Sequence, residues 1–92
     1  MANIHIERNH SLGLEEARTQ VEIMAKNLRD DLQITYQWQG DRLVFQRSGA
    51  SGTIDVGADT VAVDLKLGLA LGLLKGKIED SINRNLDQVL NS

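Results

Sequence analysis

His5, Glu7 and His10 are the side chains in this sequence whose chemistry comes nearest to a metal site. His5 and Glu7 stand two residues apart, which puts them on one face of an extended strand. His10 falls past the end of that strand, and the sequence has neither HxH nor HxxxH spacing. Zinc takes three or four convergent ligands, so these read as exposed polar residues and no metal is expected. Ser11, His10 and Asp41 are the residue types of a hydrolytic triad, but a serine just before a leucine-alanine stripe reads as a helix cap. "GASG" (Gly49 to Gly52) is rich in glycine, yet it lies between strand-like runs, whereas a phosphate cradle opens a helix. The sequence contains no nucleophile elbow and no HExxH motif. No catalytic residue, no cofactor and no enzymatic activity are expected.

The stronger signal is apolar. "LKLGLALGLLKGK" (Leu65 to Lys77) is dense in leucine, with Gly68, Gly72 and Gly76 at every fourth position. A membrane-spanning helix needs about 20 apolar residues, and the uncharged run is closed off by Lys66 and Lys75. It is too short to cross a bilayer.

The rest of the chain sets the frame for that stretch. It has 92 residues, 41% hydrophobic and 25% charged, enough for one modest core and therefore a single domain over residues 1–92. A net charge of -3, with ten basic residues scattered among thirteen acids, argues against nucleic acid as a partner. Zero cysteines exclude a disulfide framework and fit a reducing compartment. "MANIHIERNH" shows no secretory signal, so a cytoplasmic location is expected.

"NIHIER" (Asn3 to Arg8) alternates and reads as a half-buried strand. A helix follows, capped by Ser11 or Gly13, with Glu15 and Glu16 in its first turn and Leu14, Ala17, Val21, Met24, Ala25, Leu28 and Leu32 at helical spacing. Its charged residues, Glu15, Glu22, Lys26 and Arg29, are expected to point mostly away from the core. From Gln33 the period becomes two. "QITYQWQ", "RLVFQR", "TIDVG" and "TVAVDLKL" give four strands, with turns at Gly40-Asp41, Ser48 to Gly52 and Ala58-Asp59. A last helix is expected from Leu69 to Leu90, with Leu71, Leu74, Ile78, Ile82, Leu86 and Val89 in one stripe. The order β-α-β-β-β-β-α, with one apolar face per element, implies an α+β two-layer sandwich. Both helices then cover one face of an antiparallel sheet, a reduced version of the helix-grip arrangement.

On that helix Leu69 and Leu73 fall opposite the buried stripe, in line with Asp80, Arg84 and Asp87. Glycine in a helix interior costs about 1 kcal/mol relative to alanine, so Gly72 and Gly76 need a reason. Three readings stay open: a buried connection with the helix starting near Leu73, a glycine line for close packing, or an exposed apolar patch. The last two make Leu69, Leu73, Gly72, Gly76, Lys75 and Lys77 the candidate interaction surface, its lysines suited to anionic head groups. Tyr36, Trp38 and Phe45 are the candidate lining of a pocket between sheet and helices, although in a domain this small they more often fill the core.

The sequence resembles the polyhydroxyalkanoic acid system proteins. The resemblance lies in "IERNHSLGLEEAR" (Ile6 to Arg18), "WQGDRLVF" (Trp38 to Phe45), "GTIDVGADTVAVDLKLG" (Gly52 to Gly68) and "LLKGKIEDSINRNLDQVL" (Leu73 to Leu90). It implies an association with the making or breakdown of polyhydroxyalkanoate, a polyester stored in cytoplasmic granules, and implies no activity or functional residues. The combined expectation is a non-enzymatic accessory or regulatory protein that attaches to a granule surface or granule protein through the apolar start of its last helix. The alternatives are a homodimeric interaction module and a small carrier of an apolar hydroxyacyl-type ligand.

Overall fold

The computed structural model describes residues 2–90. Strand β1 (Ala2–Asn9) leads into helix α1 (Leu14–Leu32), and four strands follow: β2 (Thr35–Gln39), β3 (Arg42–Arg47), β4 (Ala50–Val56) and β5 (Thr60–Leu67). A one-turn helix α2 (Leu69–Gly72) and helix α3 (Lys75–Leu90) complete the described chain. The sheet is antiparallel, in the order β1-β5-β4-β3-β2. Strand β1 therefore closes on the end of the meander, with Ile4 opposite Leu65 and Ile6 opposite Val63.

Period-two patterning explains which face is covered. Ile4, Ile6, Leu43, Phe45, Ile54, Val56, Val61, Val63, Leu65 and Leu67 are buried, while His5, Glu7, Asp64 and Lys66 between them are exposed. The buried stripe of α1 (Ala17, Val21, Met24, Ala25, Leu28) and that of α3 (Ile82, Leu86, Val89, Leu90) join the same core cluster. This is the two-layer α+β sandwich that the element order implies.

Local details depart from the expected boundaries. Gly13, at φ 79°, is the residue before α1 and makes no side-chain cap. Its conformation is one that glycine adopts without penalty. Helix α1 ends with Gln33 in the left-handed region (φ 59°), its N–H donating to the Arg29 carbonyl at 2.9 Å. The β3–β4 turn is confined to Ser48 and Gly49, so Ser51 and Gly52 belong to β4 rather than to the turn.

Gly52 is in the strand for a steric reason. It sits in register between Phe45 and Leu65, and a Cβ there would lie 2.4 Å from the Asp64 carbonyl oxygen and 2.7 Å from Phe45 Cζ. Only a residue without a side chain lets the Phe45 ring lie across β4.

An apolar patch over a core cavity

The final helical stretch is not continuous. After Gly68, whose N–H donates to the Gly49 carbonyl at 2.8 Å, one helical turn forms and then tightens, with Leu74 N–H donating to Leu71 O at 2.9 Å. Helix α3 restarts at Lys75, and Ile78 N–H reaches back to Leu74 O at 3.0 Å. The expected single helix from Leu69 is thus two helices with a tight turn between them. Leu71, Leu74 and Ile78 had kept helical spacing across the break, and glycines on both sides weaken helix propensity where it falls.

The turn presents its leucines outward. Leu69 is 82% exposed, Leu73 is 89% exposed and Leu74 is 46% exposed. Lys75 and Lys77 continue the exposed surface along the chain. A buried connection does not describe this segment. Close packing along a glycine line does not describe it within the chain either. A Cβ on Gly72 would make ordinary contact with Ala2 at 3.5 Å, and one on Gly76 would meet nothing within 4 Å. Only at Gly68 would a Cβ be tight, 3.3 Å from the Gly49 carbonyl oxygen.

Beneath this turn lies a cavity of about 150 Å³ between the sheet, α1 and α3. Its floor is the buried side chains Met24, Leu28, Phe45, Ile54, Leu65 and Ile82. Its rim is Leu71, Leu74, Ile78 and Leu32, with Arg47 as the single charged residue of the lining. At about 24 cal/mol per Å³ an unfilled void of this size would cost up to about 3 to 4 kcal/mol, less here because the rim opens to solvent.

Of the three aromatic residues expected at a pocket, Phe45 lines this cavity, while Tyr36 and Trp38 are not part of its lining. They lie on the edge strand β2, half-buried, and reach helix α1 instead. The Tyr36 hydroxyl donates to Glu22 Oε2, and Trp38 Nε1 donates to Glu22 Oε1 at 2.6 Å. The Arg18 guanidinium stacks over the Trp38 ring, 4.7 Å from its centroid. Glu22 is therefore directed toward the sheet, not away from it. The hydrogen bond from Tyr36, then that from Trp38, hold its carboxyl below the usual range and outweigh its desolvation.

The histidines are separately engaged. His5 Nδ1 faces Asp64 Oδ1 at 2.5 Å and Nε2 faces Glu7 Oε1 at 3.0 Å on the uncovered side of the sheet. Two carboxylate acceptors favour the imidazolium, and the Asp64 hydrogen bond, then that of Glu7, raise the His5 pKa above 6.5. His10 donates from Nε2 to the Gly57 carbonyl at 3.1 Å and accepts the Leu12 N–H at Nδ1, which fixes its tautomer and ties β1's exit to the β4–β5 turn. Among the described residues no group of three or more His, Asp or Glu is placed to hold a metal ion. No helix of the described chain is long and apolar enough to cross a membrane.

Arg47 and Glu22 are the residues that sequence patterning did not single out. Arg47 takes the next inward position of β3 after Leu43 and Phe45, so the alternation itself aims this charge at the covered face, a signal that could have found it. Its Nη1 donates to the Leu32 carbonyl at 3.0 Å and its Nε to Ser48 O at 3.2 Å, which brings the guanidinium to the cavity rim.

No curated protein and no solved structure shows significant similarity to the chain. The sequence matches the family described as "Putative polyhydroxyalkanoic acid system protein" over residues 4–90. That span takes in both long helices, all of the meander and the leucine-bearing turn, and the chain belongs to this polyhydroxyalkanoic acid system protein family.

Proposed function

We propose that the protein is a non-enzymatic accessory or regulatory protein of polyhydroxyalkanoate storage, which attaches reversibly to the hydrophobic granule surface through Leu69, Leu73 and Leu74. The exposure of Leu69 and Leu73 carries this reading. Fully burying a leucine contributes about 1.5 to 3 kcal/mol; Leu69 and Leu73 are mostly exposed and Leu74 about half, so together they offer what about two leucines do, about 3 to 6 kcal/mol. That suits weak peripheral attachment. A stable homodimer buries about 20 to 30 residues on each side and must offset an association cost of about 4 to 15 kcal/mol; three leucines fall well short of the first and reach only the low end of the second. Lys75 and Lys77 follow the patch and keep the approach to it polar.

The test is co-sedimentation with isolated granules, comparing the wild type with a Leu69→Asp, Leu73→Asp double variant. Losing two leucines of burial lowers the partition coefficient at least about tenfold. Because both side chains are exposed, the fold should be unaffected. Equal partition of the two proteins would remove the attachment reading. Equal binding of the wild type to neutral lipid vesicles would show a general affinity for apolar surfaces instead of one for the polyester.

A further inference from the structure

The cavity has a chemistry of its own. Among the described residues, every one in its lining is apolar except Arg47, at the rim. The buried floor offers no hydrogen-bonding side chain, so a polar group placed deep inside would be left unsatisfied. A space of about 150 Å³ lined by Leu, Ile and Phe offers water few partners and accommodates about six carbon atoms. At its mouth, Arg47 spends Nε on Ser48 O and Nη1 on Leu32 O. These two bonds orient the guanidinium and leave the Nη2 hydrogens for an acceptor. Guanidinium donors match carboxylate geometry.

The geometry points to a binding site for an aliphatic monocarboxylate, whose chain of about six carbons enters between Leu71, Leu74 and Ile78 and whose carboxylate is held by Arg47. Rim and floor divide the two functions. Leu74 and Arg47 are exposed and Leu32, Leu71 and Ile78 are half-buried, whereas Met24, Phe45, Ile54 and Ile82 are buried. A ligand entering there replaces empty space by contact while its head group stays at the water boundary. Tyr36 and Trp38 take no part. Leu74 belongs to both surfaces, but Leu69 and Leu73, the residues changed in the attachment test, are not in the lining, so the two proposals are tested separately.

The experiment is a methyl-detected NMR titration of the full chain, without granules, using hexanoate, hexan-1-ol, hexylamine and acetate as probes. Saturable binding of hexanoate is expected, with a Kd in the high micromolar to millimolar range and shifts at the Met24, Ile78 and Ile82 methyls. Hexan-1-ol should bind the same methyls more weakly, hexylamine more weakly still, and acetate should not displace hexanoate at equal concentration. Arg47→Met should weaken hexanoate about tenfold and leave hexan-1-ol unchanged, with Arg47→Lys intermediate. Failure of hexanoate to move those methyls would overturn the site. Equal affinities for hexanoate and hexylamine would overturn the carboxylate assignment, and that comparison needs no variant if Arg47→Met unfolds. The granule co-sedimentation result has no bearing on either outcome.

Discussion

Replacing Gly52 by alanine should damage this fold more than any surface substitution of the same size. The added Cβ would lie 2.4 Å from the Asp64 carbonyl oxygen, 2.7 Å from Phe45 Cζ and 3.1 Å from Phe45 Cε2. The first contact is with backbone, and that backbone is in β5, paired on its other side with β1. Strand β4 cannot retreat without stretching its ladder to β3 or β5. The second contact is with a ring that forms part of the cavity floor, so the ring must turn into space bounded by Ile54 and Leu65. Overpacking of this kind typically costs about 1 to 3 kcal/mol. With an immovable partner as well as a ring, we expect about 3 kcal/mol, or a fall in Tm of about 12 to 20 °C for a domain of this size. Urea denaturation should show a lower midpoint with an unchanged slope. In a Phe45→Leu background the ring contact disappears and the backbone contact does not. Gly52→Ala should then cost about 1 kcal/mol less than in the wild type. A Gly52→Ala protein within 0.5 kcal/mol of the wild type would refute the steric account of this strand, and with it the placement of the Phe45 ring.

Three further outcomes follow from the same geometry. Glu22→Gln should cost about 1 to 2 kcal/mol, because a carboxylate accepting from both Tyr36 and Trp38 becomes a neutral amide. The folded Glu22 pKa lies below the usual value of 4.5, so its contribution is present above that value and is lost as pH falls through the folded one; the acid limb of a stability profile should flatten in the variant. His5 shifts the other way. Its pKa is raised above 6.5, so its contribution is fully present below 6.5 and fades as pH rises through the folded value. NMR titration of the ring should show a midpoint above 6.5 that drops in Asp64→Asn. Gly76→Ala, with open space around the new methyl, should stabilise the protein by about 0.5 kcal/mol in thermal melts without altering granule partition. A loss of partition would restore a packing role for the glycine.

Most of the fold can be read from two periods. Alternation in "TVAVDLKL" and its neighbours defines the strands and their buried face, and the stripe from Ala17 to Leu28 defines α1. The placement of β1 beside β5 was not readable, because pairing partners distant in sequence leave no mark on local patterning. The break before Lys75 was hidden for a related reason: Leu71, Leu74 and Ile78 stay in phase whether the turn between them is α-helical or tighter. The outward direction of Leu69 and Leu73 was read by phase on one continuous helix, and the two side chains are exposed although the helix breaks before Lys75. Tyr36 and Trp38 share a face with Leu43 and Phe45 by register, which suggested a common pocket. An edge strand, however, meets α1 rather than the cavity between the helices. Glu22 looks like one more charge on an exposed helix face until those two rings are seen beside it. Arg47 is in phase with Leu43 and Phe45, which points it at the covered face, but what its guanidinium meets there depends on the α1 C-terminus and the Ser48 turn coming together at one point.

Attachment as proposed sets the leucine-bearing turn, and not the open face of the sheet, against the polymer. The chain has no cysteine, so a single introduced thiol can carry an environment-sensitive fluorophore without background labelling. Ala70→Cys keeps both Leu69 and Leu73 and lies between them, whereas Gln37→Cys lies at an exposed position on β2. On adding granules, the probe at position 70 should shift to the blue and resist aqueous quencher, while the probe at position 37 stays as it was in solution. A response at position 37 equal to or greater than that at position 70, or none at position 70 while the protein still sediments with granules, would contradict the claim.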